Sequence, residues 1–179
     1  IISKHFLLVE ADPNHHQWCV EHFTYQNIDK NDCIEAAVTN YDGHITFDYD
    51  AEKSDKWYGQ SIGSWGQHTV PCYRLTTLLD MHNISDLDLL HMDVQGEELK
   101  VINDSLDLLK NIEYIYIGTH SPGHKEGPGS DQIHNDLVSI LEKTHEIIVS
   151  LPPFSISSYE DFGKIDCNDG ILFCRRRKQ

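Results

Sequence analysis

Residues 91–98 read HMDVQGEE: three carboxylates and a single glycine directly after the apolar run LDLL at 87–90. Such a run reads as a buried strand, so the carboxylates fall at the turn beyond its end. The following GEELKVINDSLDLLKNI places Leu99, Val101, Ile102, Leu106, Leu108 and Leu109 at helical intervals, which predicts a helix or a pair of helical turns. Next comes IEYIYIGTH at 112–120, an unbroken series of β-branched and aromatic residues and the strongest strand in the chain. Strand, turn, helix, strand is the unit of an α/β fold.

The same alternation extends outward. HFLLVEADP predicts a strand through Val9 that ends in Glu10, with Asp12 as helix N-cap and Pro13 at the first helical position. The helix is expected from about Asn14 to Gln26, with Trp18, Cys19, Val20 and Phe23 inward and His15, His16 and His22 on its surface. CIEAAVTN reads as one short strand feeding a hairpin, with a turn at Asp42-Gly43 and alternation through Ile45, Phe47 and Tyr49. Residues 51–69 lack a period and read as a long loop, and YRLTTLLDMHNI as a short helix on Leu75, Leu78, Leu79 and Ile84. SPGHKEGPGS is a Gly/Pro loop, and DQIHNDLVSILEKT a helix with Ile133, Leu137, Ile140 and Leu141 on one face. HEIIVSL and GILFCRR predict two strands joined by a polar loop without a helix. The expected architecture is one α/β domain over 1–179, its sheet mostly parallel with an antiparallel C-terminal strand pair.

Composition narrows the function. The chain holds 14 Lys and Arg against 29 Asp and Glu, a net charge of −15, which repels polyanions and argues against a nucleic-acid partner. The basic run Arg175-Arg176-Arg177-Lys178 reads as a solvated tail. Five scattered cysteines without a C-x-x-C pair point to a reducing, cytoplasmic setting rather than a disulfide framework. No apolar stretch approaches the roughly 20 residues of a membrane span, so no membrane partner is expected.

In open α/β sheets ligands collect beyond the carboxyl ends of the strands, which selects Glu10, then Asp93 with Gly96 and Glu98, then Thr119-His120. A carboxylate ending a strand just before a helix can accept both hydrogen bonds of a ribose diol. Glu10 has that place, and equally that of a turn cap. Only nine residues precede it, so a glycine-rich phosphate-type loop with its strand is expected to lie outside this sequence, leaving the domain N-terminally incomplete.

VEADP, AAVTNYDGHITF and LDLLHMDVQGEELKVINDS, in this order and at these separations, resemble the FkbM-type family of S-adenosylmethionine-dependent methyltransferases. Two positions depart from the family's pattern: His91 stands where a lysine is common, and Gln95 where a glutamate precedes the glycine. The resemblance implies a Rossmann-like class I core, with S-adenosyl-L-methionine held by Glu10, Ala36, Ala37 and Asp93. It implies methyl transfer to a hydroxyl of a sugar, glycan or secondary metabolite, with Asp93 and His120 assisting removal of the hydroxyl proton. Asp93 reads alternatively as a helix cap, His120 as a loop histidine bonded to backbone, and Ala36 and Ala37 as strand core. No metal is expected, because no ligand spacing is diagnostic, although Asp93, Glu98 and His120 could supply hard ligands. Trp57, Tyr58 and Trp65 would either pin their loop or, with residues 121–130, select the acceptor. Two rival readings are a nucleotide-dependent enzyme such as a dehydrogenase, which would use Glu10 equally well, and a noncatalytic binding module of the same fold.

Overall fold

Asp12 organises the first turn of the chain as its sequence predicts. Its side chain accepts the N–H groups of Asn14 at 2.8 Å and His15 at 3.2 Å, and Pro13 opens helix α1 (Pro13–Tyr25). The computed structural model describes residues 6–29, 32–47, 68–120, 131–159, 163–167 and 169–178, which fall in two compact units within Ile1–Arg74 and Leu75–Gln179. The expected loops carrying Trp57, Tyr58 and Trp65 and spanning 121–130 lie outside the described residues.

In the first unit, β1 (Leu8–Glu10) pairs in parallel with β2 (Cys33–Glu35) across the α1 crossover. Helix α1 buries none of its residues, and Trp18 is 49% exposed beside the His15 ring. Trp18 and Val20 sit about 200° apart around a helix, so they cannot share one inward face. His16, expected on the outer surface, instead reaches the Cys33 carbonyl at 3.3 Å. CIEAAVTN is not one strand. It breaks at Ala36, whose N–H donates to the Glu10 carbonyl at 3.1 Å, and resumes as β3 (Ala37–Thr39) in another sheet. There β5 (His68–Arg74) takes the centre, parallel to β3 and antiparallel to β4 (Gly43–Phe47), so β3 and β4 flank β5 instead of forming a hairpin. Ala37, Val70 and Cys72 form the core here, with Ala11 and Ile45 against them.

In the second unit, α2 (Leu75–Met81) buries Leu75, Leu78 and Leu79 as their spacing predicts. β6 (Leu87–Met92) pairs in parallel with β7 (Ile112–Thr119) through α3 (Glu98–Asp104) and a 3-10 turn at Leu109–Asn111. The helical segment stops at Asp104 because Asn103, Asp104 and Ser105 carry short polar side chains that compete for backbone hydrogen bonds. Among the described residues β6 stands at one edge of its sheet and leaves Leu89 53% exposed, so it is not the fully buried strand that LDLL implied. α4 (Gln132–Leu141) turns His134, Leu137 and Leu141 inward and leads into β8 (His145–Leu151).

The expected polar loop after β8 contains a hairpin, β9 (Ser155–Tyr159) with β10 (Gly163–Cys167). Neither the serine-rich β9 nor the short β10 carries an apolar period long enough to announce it; backbone pairing forms them. β11 (Gly170–Arg176) then inserts antiparallel between β7 and β8, giving the order β6-β7-β11-β8. The C-terminal strands are antiparallel partners, but β11 occupies the interior of the sheet, not its edge. Among the described residues three ladders are parallel and four antiparallel. The fold is therefore α/β with mixed sheets, not mostly parallel, because β4 and β11 enter without the helical crossover that a parallel neighbour needs.

Gly170 begins β11 in a space closed by three neighbours. A Cβ there would lie 2.8 Å from the Leu151 carbonyl oxygen and from Pro153 Cδ, and closer still to Thr119 Oγ1. Thr119 Oγ1 meets the buried His134 ring at 2.9 Å, and that ring reaches Ser150 Oγ at 2.8 Å. Gly170→Ala therefore disturbs both the backbone and a buried polar chain. The expected loss is about 1–3 kcal/mol, read as a lowered denaturation midpoint; an unchanged midpoint would contradict this packing.

Candidate active site

Two residues in left-handed backbone conformation reverse the chain after β6: Gln95 at φ 53° and Gly96 at φ 107°. Glycine adopts this region freely, and a left-handed glutamine carries a cost that the surroundings must offset. The reversal starts α3 at Glu98 and brings its carboxylate back over the turn, where Oε2 accepts the Gly96 N–H at 2.9 Å. Glu98 is 0% exposed, in the first helical turn where the dipole favours a negative charge.

β7 delivers the partner. His120, one residue beyond that strand and 2% exposed, sets Nδ1 2.5 Å from Glu98 Oε1 and Nε2 3.1 Å from Asp93 Oδ1. Gln95 Nε2 donates to Asp93 Oδ1 at 3.0 Å and stands 3.0 Å from His120 Nε2. The result is a carboxylate–imidazole–carboxylate chain running from the interior, at Glu98, to the surface, at Asp93, whose side chain is 56% exposed. Gly118 borders the chain: a Cβ there would lie 3.4 Å from Asp93 Cγ and 3.5 Å from His120 Cε1, in ordinary van der Waals contact. Glu97 is separate: it pairs with Lys100 at 2.6 Å.

Burial works against a charge on His120, but hydrogen bonds to Asp93 and Glu98 and their negative charges outweigh it and push the imidazole up to about 10. The same hydrogen bond to His120 holds Asp93 below the usual carboxylate range, against a smaller burial effect. These contacts favour the imidazolium form of His120 at neutral pH. Gln95, where the family pattern has a glutamate, contributes a donor instead of a third negative charge.

Asp93, Glu98 and His120 present ligand atoms within 4.8 Å of one another. Two donors on one cation at bond lengths of about 2.0–2.2 Å and right angles stand roughly 2.9 Å apart. At 2.5 Å, His120 Nδ1 and Glu98 Oε1 stand closer than that, as a charge-assisted hydrogen bond. Asp93 Oδ1 and His120 Nε2 are the pair with room for a cation, with Glu98 orienting the ring from behind.

Glu10, Ala36 and Ala37 lie in the first unit. Glu10 Oε1 accepts the Asp12 N–H at 2.8 Å; burial raises its carboxyl, and that hydrogen bond opposes the rise. Ala36 and Ala37 are buried, Ala36 against the Glu10 backbone and Ala37 in the three-stranded sheet. Sequence reasoning did not pick out Gln95, which registered only as a departure from the motif.

The Asp93–His120–Glu98 network lies beyond the ends of β6 and β7 in an α/β fold with mixed sheets. The chain belongs to the methyltransferase FkbM domain family, which matches residues 2–152. It is 41% identical over 58 residues, 31% of its length, to a protein of Jannaschia sp. (strain CCS1) named "Putative methyltransferase". The matching stretch spans 20% of that relative. No solved structure matches the chain.

Proposed function

We propose that this protein is an S-adenosyl-L-methionine-dependent O-methyltransferase with a Rossmann-like core, acting on a hydroxyl of a sugar, glycan or secondary metabolite in a reducing, cytoplasmic setting. The observation that carries this reading is the buried Glu98–His120 pair holding Asp93 at the exposed turn. S-adenosylmethionine, when bound, supplies the electrophilic methyl group. Asp93 accepts a hydrogen bond from the acceptor hydroxyl and takes its proton as the carbon–oxygen bond forms and the carbon–sulfur bond breaks. His120 keeps Asp93 ionised and aimed, and Glu98 keeps His120 charged. Glu10 receives the ribose hydroxyls, with Ala36 and Ala37 lining the adenine side. No cation is required in this scheme, so a chelator leaves turnover unchanged. No helix among the described residues is long and apolar enough to cross a membrane.

The test is calorimetric titration with S-adenosylmethionine and with NAD, followed by mass-spectrometric detection of adenosylhomocysteine and methylated product across hydroxylated acceptors. Binding of S-adenosylmethionine with methyl transfer supports the proposal; preference for NAD overturns it in favour of a dehydrogenase. Binding without turnover on any acceptor returns the noncatalytic module. Glu10→Ala weakens cofactor binding by about 1.5–3 kcal/mol, the worth of a charge-assisted hydrogen-bonded pair. Unchanged affinity in that variant would remove Glu10 from the ribose.

A further inference from the structure

The basic run at 175–178 is solvent-exposed at Arg175, Arg177 and Lys178, as expected, but it is tied to the fold and not a free tail. Arg175 pairs with Glu146 at 2.6 Å. Arg176 donates to the Lys110 carbonyl at 2.9 Å and pairs with Glu113 at 2.8 Å. Arg177 donates its backbone N–H to the Thr144 carbonyl at 3.0 Å and Nε–H to the Glu142 carbonyl at 3.3 Å. These contacts fix the segment along the edge where β7 and β8 begin and β11 ends, and there it walls a cavity of about 730 Å³. That edge is opposite the one bearing Asp93 and His120, roughly 23 Å away along the length of β7.

Five of the chain's 14 Lys and Arg line this cavity: Lys110, Lys143, Arg176, Arg177 and Lys178. The carboxylate among them, Glu113, is taken up by Arg176, and among the described residues no acidic side chain pairs with Lys110, Lys143 or Lys178. Gathering like charges in one concavity is unfavourable unless something negative sits among them. A net +4 lining in a chain of net −15 calls for a multiply charged anion, and phosphate esters match ammonium and guanidinium donors. An extended polyanion would run onto the acidic remainder of the surface, while a compact one stays within the roughly 8 Å reach of unscreened charge. The volume also falls in the range of small-molecule sites.

We propose that this cavity binds a compact phosphate-bearing ligand, independently of the methyl-transfer site. Titration of the whole chain with inorganic pyrophosphate is expected to show saturable binding at one site that weakens as salt is added. The K143E/K178E variant is expected to bind at least about tenfold more weakly with an unchanged circular dichroism spectrum, since neither lysine holds a structural contact; K143Q/K178Q should show a smaller loss. No saturable binding by the wild type, or equal affinity in K143E/K178E, would overturn the proposal. So would tighter binding to a single-stranded oligonucleotide or to phosphatidylserine vesicles, lost in the same variant, which would assign the surface to a macromolecule.

Discussion

Asp93→Ala is expected to abolish the proposed methyl transfer while leaving the protein folded. The side chain is 56% exposed at a turn, and its removal opens no apolar cavity. His120 retains Glu98 as a buried partner, so the imidazolium is not stranded. What disappears is the carboxylate oxygen at the surface end of the chain, the atom proposed to receive the acceptor's proton. General-base contributions of this kind are worth about 10²–10⁴ in rate. The measurement is release of adenosylhomocysteine by variant and wild type on the same acceptor, beside their denaturation midpoints. Transfer within a few fold of wild type would exclude Asp93 from the proton transfer, and a collapsed midpoint would show the turn to be structural.

Glu98→Ala has the opposite profile, with stability as the primary loss. Glu98 is fully buried and holds both the Gly96 N–H and His120 Nδ1, so alanine leaves two buried donors unsatisfied and one charge half paired. Breaking a buried ion pair from one side costs about 3–5 kcal/mol. The pH dependence identifies the cause. His120 titrates at about 10 in the fold against 6.5 for the ordinary imidazole, so the folded state holds its proton more tightly than the unfolded state. The resulting stabilisation is complete below about pH 6.5, declines through the interval and is gone above about 10. Asp93, held below its ordinary value, contributes in the other sense: its share is present above the usual carboxylate range and is lost as pH falls below it. Wild-type denaturation midpoints should therefore fall between pH 7 and 10, and the fall should flatten in Glu98→Ala. An equally steep fall in the variant would place the titration elsewhere.

Local signals were legible where one residue does one job within a few positions of itself. Asp12-Pro13 announces its helix because an N-cap acts on backbone two and three residues away. Leu75, Leu78 and Leu79 announce theirs by period, and 112–119 announces a strand by side-chain type. The break at Ala36, the interior position of β11 and the serine-rich hairpin carry no comparable signal, because each depends on which distant strand offers free backbone groups. The same limit applied to the site. His120 and Glu98 were visible as candidates at two strand ends, but their 22-residue separation concealed that one orders the other.

By itself the sequence determined the α/β class, the family motif at 91–98, and the residues from which a methyl-transfer site would be drawn, since chain-local periodicity and turn chemistry act on neighbours. Only the tertiary structure decided the mixed strand order, the two carboxylates that favour a proton on His120, and the docking of 175–178 around a basic cavity. Those follow from burial and from charges that meet across the fold, where the strength of an interaction depends on distance in space and not on position along the chain.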